Sequence, residues 1–113
     1  PHPIANLHLH FLLQLSGFLG FQPQEEPEDA GELFFDLKEG NFSPVPLVHP
    51  HYLEPEQTRQ MLDLLHLPLR QCHEVALNRP QRKALLQHLL QFYQYHVPGF
   101  TDINTPDILE MVM

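Results

Sequence analysis

The sequence predicts a mainly helical fold, a helical bundle with one small β-hairpin at its side, and three observations predict it. Apolar residues recur at three- and four-residue spacing over three stretches, near residues 5–19, 54–65 and 79–96. Only one run, residues 33–42, has the aromatic, β-favouring character and central turn residues of a hairpin. Twelve prolines punctuate the chain and forbid long strands. A length of 113 residues fits one compact domain, predicted to span residues 1–113.

The first helix has Asn6 as a possible cap, with Leu7, Phe11, Leu15 and Phe18 on one stripe and Leu12 and Leu19 widening it. Only His8, His10 and Gln14 interrupt its apolar surface, which predicts a central position in the domain. Gly17 and Gly20 loosen its end and Pro23 stops it. Residues 24–32 read as a solvated acidic loop. The hairpin follows, with Gly40 at the position of its loop that requires positive φ. A hairpin alone is marginal, so it must lie against helices. Residues 43–50 hold three prolines and read as an extended connector.

Pro55 and Glu56 suit the first turn of the second helix, whose inward stripe is Thr58, Met61, Leu62 and Leu65. Pro68 breaks the chain, and a short helix over 69–77 is expected to turn Leu69, Cys72 and Ala76 inward. Asn78 caps the longest helix, residues 79–96, with Leu85, Leu86, Leu89, Leu90, Phe92 and Tyr93 buried. Lys83, Gln87, Gln91 and Gln94 lie opposite. A short final helix is expected near residues 104–113.

The formal charge is −8. This excludes a free-standing module that grips nucleic acid through its overall field. Residues 1–56 carry all of it, one lysine against nine acids, while residues 57–113 are neutral. Within 70–83, Arg70, Arg79, Arg82 and Lys83 face only Glu74. Three of these cations stand at the start of the longest helix, where they oppose its dipole and suit an external phosphate or carboxylate. Pairing with the acidic loop, or plain solvation, is the competing reading.

No stretch is long and apolar enough to cross a membrane, and no secretory leader is visible. A first residue that is not Met suggests a fragment or a processed chain. The one cysteine, Cys72, permits no internal disulfide and suits a reducing cytosol. Arg70 and His73 beside it could lower a thiol pKa, but its place on an apolar stripe favours a buried, inert side chain.

Nine histidines raise the question of a metal. His8 and His10 point apart on a helix, whereas His49 and His51 on an extended segment would share a side. A zinc site needs three or four ligands, and Glu54 and Glu56 suit a helix start equally well. No nucleophile elbow or phosphate-cradling loop occurs. The expectation is no catalytic residues, no metal and no cofactor.

The segment Asn6-Leu7-His8-Leu9-His10-Phe11-Leu12-Leu13-Gln14-Leu15, followed by Phe18-Leu19-Gly20-Phe21-Gln22-Pro23, resembles the first helix of the C-terminal domain of the bacterial DNA repair protein RecO family. Phe35-Asp36-Leu37-Lys38-Glu39-Gly40-Asn41-Phe42 is similar to that family's hairpin. Arg79-Pro80-Gln81-Arg82-Lys83-Ala84-Leu85-Leu86 and Tyr93-Gln94-Tyr95-His96-Val97-Pro98-Gly99-Phe100 resemble its last long helix and exit, and Asp107-Ile108-Leu109 its closing helix. The wording is nearest to Bacteroides-like members.

The resemblance implies a recombination mediator rather than an enzyme. Such proteins load RecA onto single-stranded DNA coated by single-strand-binding protein, anneal strands and work with RecR in the cytoplasm. Their N-terminal OB-fold, the main single-strand platform, is missing from these residues. The helical domain is implicated in docking the acidic tail of single-strand-binding protein and in DNA contacts. Many members carry a four-cysteine zinc module around the hairpin; its absence here implies a zinc-less version. Arg70, Arg79, Arg82 and Lys83 are candidates for acidic-tail or nucleic-acid binding from charge clustering alone. The alternative is a structural interaction module without DNA contact, its first helix packing on the missing N-terminal domain.

Overall fold

The computed structural model describes residues 6–23 and 32–100. The acidic segment 24–31 and the expected final helix lie outside the described residues. The elements are α1 (Leu7–Leu19), β1 (Phe34–Asp36), β2 (Asn41–Ser43), β3 (Tyr52–Leu53), α2 (Pro55–His66), a 3-10 turn (Leu69–Glu74) and α3 (Arg79–His96). The fold is mostly helical with a small antiparallel sheet in the order β2-β1-β3.

The hairpin forms as its turn residues dictate. Gly40 sits at φ 78°, and its N–H reaches Asp36 O at 2.7 Å. Phe35 pairs with Phe42 on one side and with Leu53 on the other. The third strand comes from the end of the Pro-rich connector, so the expected two-stranded hairpin is a three-stranded sheet. Phe35 and Leu53 are fully buried beneath it.

One apolar cluster joins the elements: Leu9 and Leu13 from α1, Phe35 and Leu37 from the hairpin, and Met61 and Leu64 from α2. Leu85, Leu89 and Phe92 complete it from α3. The expected inward face of α3 is the observed one. On α2, Thr58, Met61 and Leu62 are buried as expected, and Leu64 joins them. After α1, Phe21 stacks on His96 at 5.3 Å and meets Phe92 and Tyr93 edge-on, fixing the α1 exit to α3.

Three expectations about the helices are corrected. The inward face of α1 is Leu9, His10, Leu13 and Ser16, while Phe11 and Phe18 of the expected stripe are 58% and 89% exposed. Asn6 (φ 70°) makes no cap bond with its side chain; it donates to Cys72 O and Val75 O at 2.8 and 2.9 Å instead. His10 Nε2 donates to Leu67 O at 2.7 Å, and Gln14 Nε2 to Leu65 O at 3.2 Å. Carbonyls around the α2 exit need donors, and these side chains turn α1 toward them. The segment after Pro68 is a 3-10 turn rather than a longer helix. Cys72 goes inward as expected and Leu77 joins it, while Leu69 and Ala76 are exposed, because three residues per turn change the inward register.

Candidate functional site

The start of α3 is where sequence and structure place the cations. Asn78 Oδ1 accepts the Gln81 N–H at 2.8 Å, and Gln81 Oε1 accepts the Asn78 N–H at 2.9 Å, a reciprocal capping box. The expected cap is therefore present. Its second half was missed, although Asn-x-x-Gln before a helix is a readable signal.

No acid occupies the first turn of α3. Arg79, Arg82 and Lys83 stand at i, i+3 and i+4, which places them on one face of the helix. Their charges share that face with the positive end of the helix dipole. Arg79 is exposed and Lys83 half-buried. Arg82 is partly committed, since its Nη1 donates to Leu77 O at 2.7 Å across the helix start; its other donors make no hydrogen bond with the described residues. Arg70 stands exposed on the 3-10 turn, and no hydrogen bond joins it to the other three. The structure thus groups Arg79, Arg82 and Lys83 and leaves Arg70 on a separate element.

The paired histidines of the connector do share a side, with rings stacked at 5.8 Å. His51 N–H donates to His49 Nδ1 at 3.0 Å, so His49 carries its proton on Nε2 and donates it to Asp36 Oδ1 at 3.0 Å. That same oxygen accepts the N–H groups of Lys38 and Glu39. Gln91 Nε2 meets His51 Nδ1 at 3.0 Å, tying the connector to α3. Both His49 nitrogens and His51 Nδ1 are therefore used in a clasp between sheet and helix. Among the described residues no group of three or more His, Cys, Asp or Glu is placed to hold a metal ion.

Cys72 is fully buried, and burial pushes its thiol pKa up, against a smaller opposing effect of a backbone hydrogen bond. A thiol so placed is a poor nucleophile. Burial likewise drives the Tyr93 hydroxyl up to about 12; it donates to Leu12 O at 2.6 Å. Burial lowers the pKa of His88, opposed by the Ala84 carbonyl.

Two further surfaces lie outside the cation cluster, and only the second was not singled out from sequence. The outer side of α1 presents Phe11, Phe18 and Leu19. A polar groove runs along α2, lined in part by Glu56, Gln60 and Asp63. An i, i+4, i+7 polar row on α2 is the signal that could have found it.

The described residues form a mostly helical module with a small antiparallel sheet and cations at the start of its last helix. The chain matches the model of the family described as Recombination protein O C terminal over residues 1–101, and it belongs to that family. It is similar to the DNA repair protein RecO of Bacteroides fragilis, with 33% identity over 107 residues, 94% of this chain and 44% of the relative. Similar figures hold for the RecO proteins of Porphyromonas gingivalis, 31% over 110 residues, and Flavobacterium johnsoniae, 33% over 110, each match covering 44% of the relative. The chain thus spans under half the length of these relatives. No solved structure matches it significantly.

Proposed function

We propose that this chain is the zinc-less helical docking module of a cytoplasmic RecO-type recombination mediator, a single domain whose OB-fold partner lies outside it. In this reading it binds the acidic tail of single-strand-binding protein, gives auxiliary contact to single-stranded DNA, and serves strand annealing and RecA loading together with RecR, without catalysis of its own. The observation that carries it is the grouping of Arg79, Arg82 and Lys83 on one face of the α3 start, without an acid in that turn. A tail peptide offers a carboxylate, and a DNA strand offers phosphates; both complement that face. Arg70 contributes long-range attraction from its neighbouring turn.

The test is fluorescence anisotropy with a labelled acidic tail peptide and with labelled single-stranded DNA. Arg82 also fastens Leu77 O, so the informative variant is Arg79→Glu with Lys83→Glu. Reversing two cations is expected to weaken tail binding on the order of tenfold or more. Unchanged binding would sink the site assignment.

A second reading rests on its own observation, the exposed Phe11, Phe18 and Leu19 on α1. Contiguous exposed apolar side chains mark a packing surface. Here that surface meets the protein's own N-terminal domain, and the module has no direct DNA contact. Loss of tail and DNA binding in the intact protein, with domain packing retained, distinguishes it.

A further inference from the structure

On α2, Glu56, Gln60 and Asp63 fall at i, i+4 and i+7, one stripe of the helix. The buried residues Thr58, Met61, Leu62 and Leu64 hold its other side in the core. The stripe faces a groove with two adjoining parts of about 510 and 430 Å3. Its opposite wall is built from Glu74 and Val75 of the 3-10 segment and from Gln81 and His88 of α3. Both parts share Glu56, Gln60 and Gln81, so the groove is continuous along α2. From Glu54 to Leu67 it covers thirteen helical steps, about 20 Å, the reach of roughly six extended residues.

Glu54, Glu56, Asp63 and Glu74 line this groove against one arginine, Arg59. None of the four carboxylates forms an ion pair with a described residue; the one such bridge is His49 with Asp36. The second observation is independent of charge. Gln60 is only 9% exposed, lines both parts of the groove, and its side chain makes no hydrogen bond with the described residues. Its carboxamide atoms are not sealed off, since the buried side-chain polar atoms without a partner among the described residues are those of Asn6, His10 and His73; the Gln60 amide opens into the groove and is free to pair there. It offers one acceptor and two donors, the complement of a peptide unit's N–H and C=O.

From these we infer that the α2 groove is a second docking site, for a basic extended peptide segment of a partner protein. Gln60 pairs with the peptide backbone at the floor, and the carboxylates hold lysine or arginine side chains along the rim. The site lies on the other side of the α3 start from the cation face, because Pro80, Gln81, Ala84 and His88 line it while Arg79, Arg82 and Lys83 do not. It is independent of the proposed tail and DNA site.

The probe is a fluorescein-labelled octapeptide of alternating lysine and glycine, titrated by anisotropy against the 113-residue chain. Glu56→Gln with Asp63→Asn is expected to weaken it about tenfold, as two weak ion pairs lost together. The charge-matched control, Glu32→Gln with Glu39→Gln on the exposed loop and hairpin, should change it less than about twofold. Gln60→Met keeps charge and volume and is expected to cost about fivefold through two lost hydrogen bonds. Unchanged thermal unfolding of Gln60→Met confirms that the fold is intact; if it falls, Gln60→Glu, which retains an acceptor and adds charge, must bind the probe at least as well as the parent. Equal weakening by the control pair, or spermine binding as tightly as the peptide, would reduce the groove to a diffuse field and overturn the proposal. Peptide binding that appears only after deletion of residues 1–5 would make the chain's own start the occupant and overturn it equally.

Discussion

Asn6, His10 and Gln14 stand four residues apart on α1, and each donates to a main-chain carbonyl of the α2–3-10 connection. Bends such as that at Pro68 leave carbonyls without helical partners, and side chains from a neighbouring helix are one way to satisfy them. Asn6 serves two, Cys72 O and Val75 O, from a left-handed backbone at φ 70°. Asparagine tolerates that conformation better than other side chains with a Cβ. Asn6→Ala strips both carbonyls of their donor and keeps a strained backbone. The expected loss is about 2–4 kcal/mol in urea unfolding. His8→Ala, two residues along on the exposed side, should stay within about 0.5 kcal/mol. Equal losses at the two positions would show that the carbonyl contacts contribute nothing. Cys72 belongs to the same region: with its carbonyl held by Asn6 and its thiol buried, it is a packing residue.

At the scale of elements, α3 is the helix on which the proposed anion site and one wall of the α2 groove both depend. Its first turn is held by the Asn78–Gln81 box, and Arg79 and Lys83 work against its dipole. Asn78→Ala is expected to cost about 1 kcal/mol, and to speed hydrogen exchange at the Gln81 amide, which loses its acceptor. Exchange at Gln81 no faster than in the parent chain would mean that the box does not hold the turn. The buried face of α3 was legible in the sequence because its stripe is bounded by glutamines. That of α1 was not. Its surface is apolar nearly all round, so periodicity cannot choose a side, and the deciding groups, Asn6, His10 and Gln14, are polar residues satisfying carbonyls distant in sequence. The third strand was hidden for another reason: two residues after a Pro-rich run carry no period. The cation cluster was readable as charge. The groove was readable only as a polar row on α2, since Gln60 becomes informative only when its burial is seen.

For the whole molecule, the net charge of −8 conceals an opposition of surfaces. A cation face and an acid-lined groove sit on two sides of one helix start, and an apolar α1 surface lies apart from the core. The stability of the assembly against pH is set in part by two groups on α3. Burial drives His88 below its ordinary value of 6.5, and Tyr93 above 10 to about 12. The signs are opposite in consequence. As pH falls through 6.5, the unfolded chain takes up a proton at His88 before the native one does, so stability present above that pH is lost toward the lowered native value. Above pH 10 the unfolded chain ionises its tyrosine first, and stability is lost as pH climbs toward 12. Urea unfolding at pH 7.5 and 5.5 tests the acid side. Other histidines contribute to the absolute slope, so the informative quantity is the difference between parent and His88→Gln. The variant is expected to lose less stability than the parent on going from pH 7.5 to 5.5. An identical loss in both would mean that His88 titrates alike folded and unfolded, and that the acid limit lies with other groups.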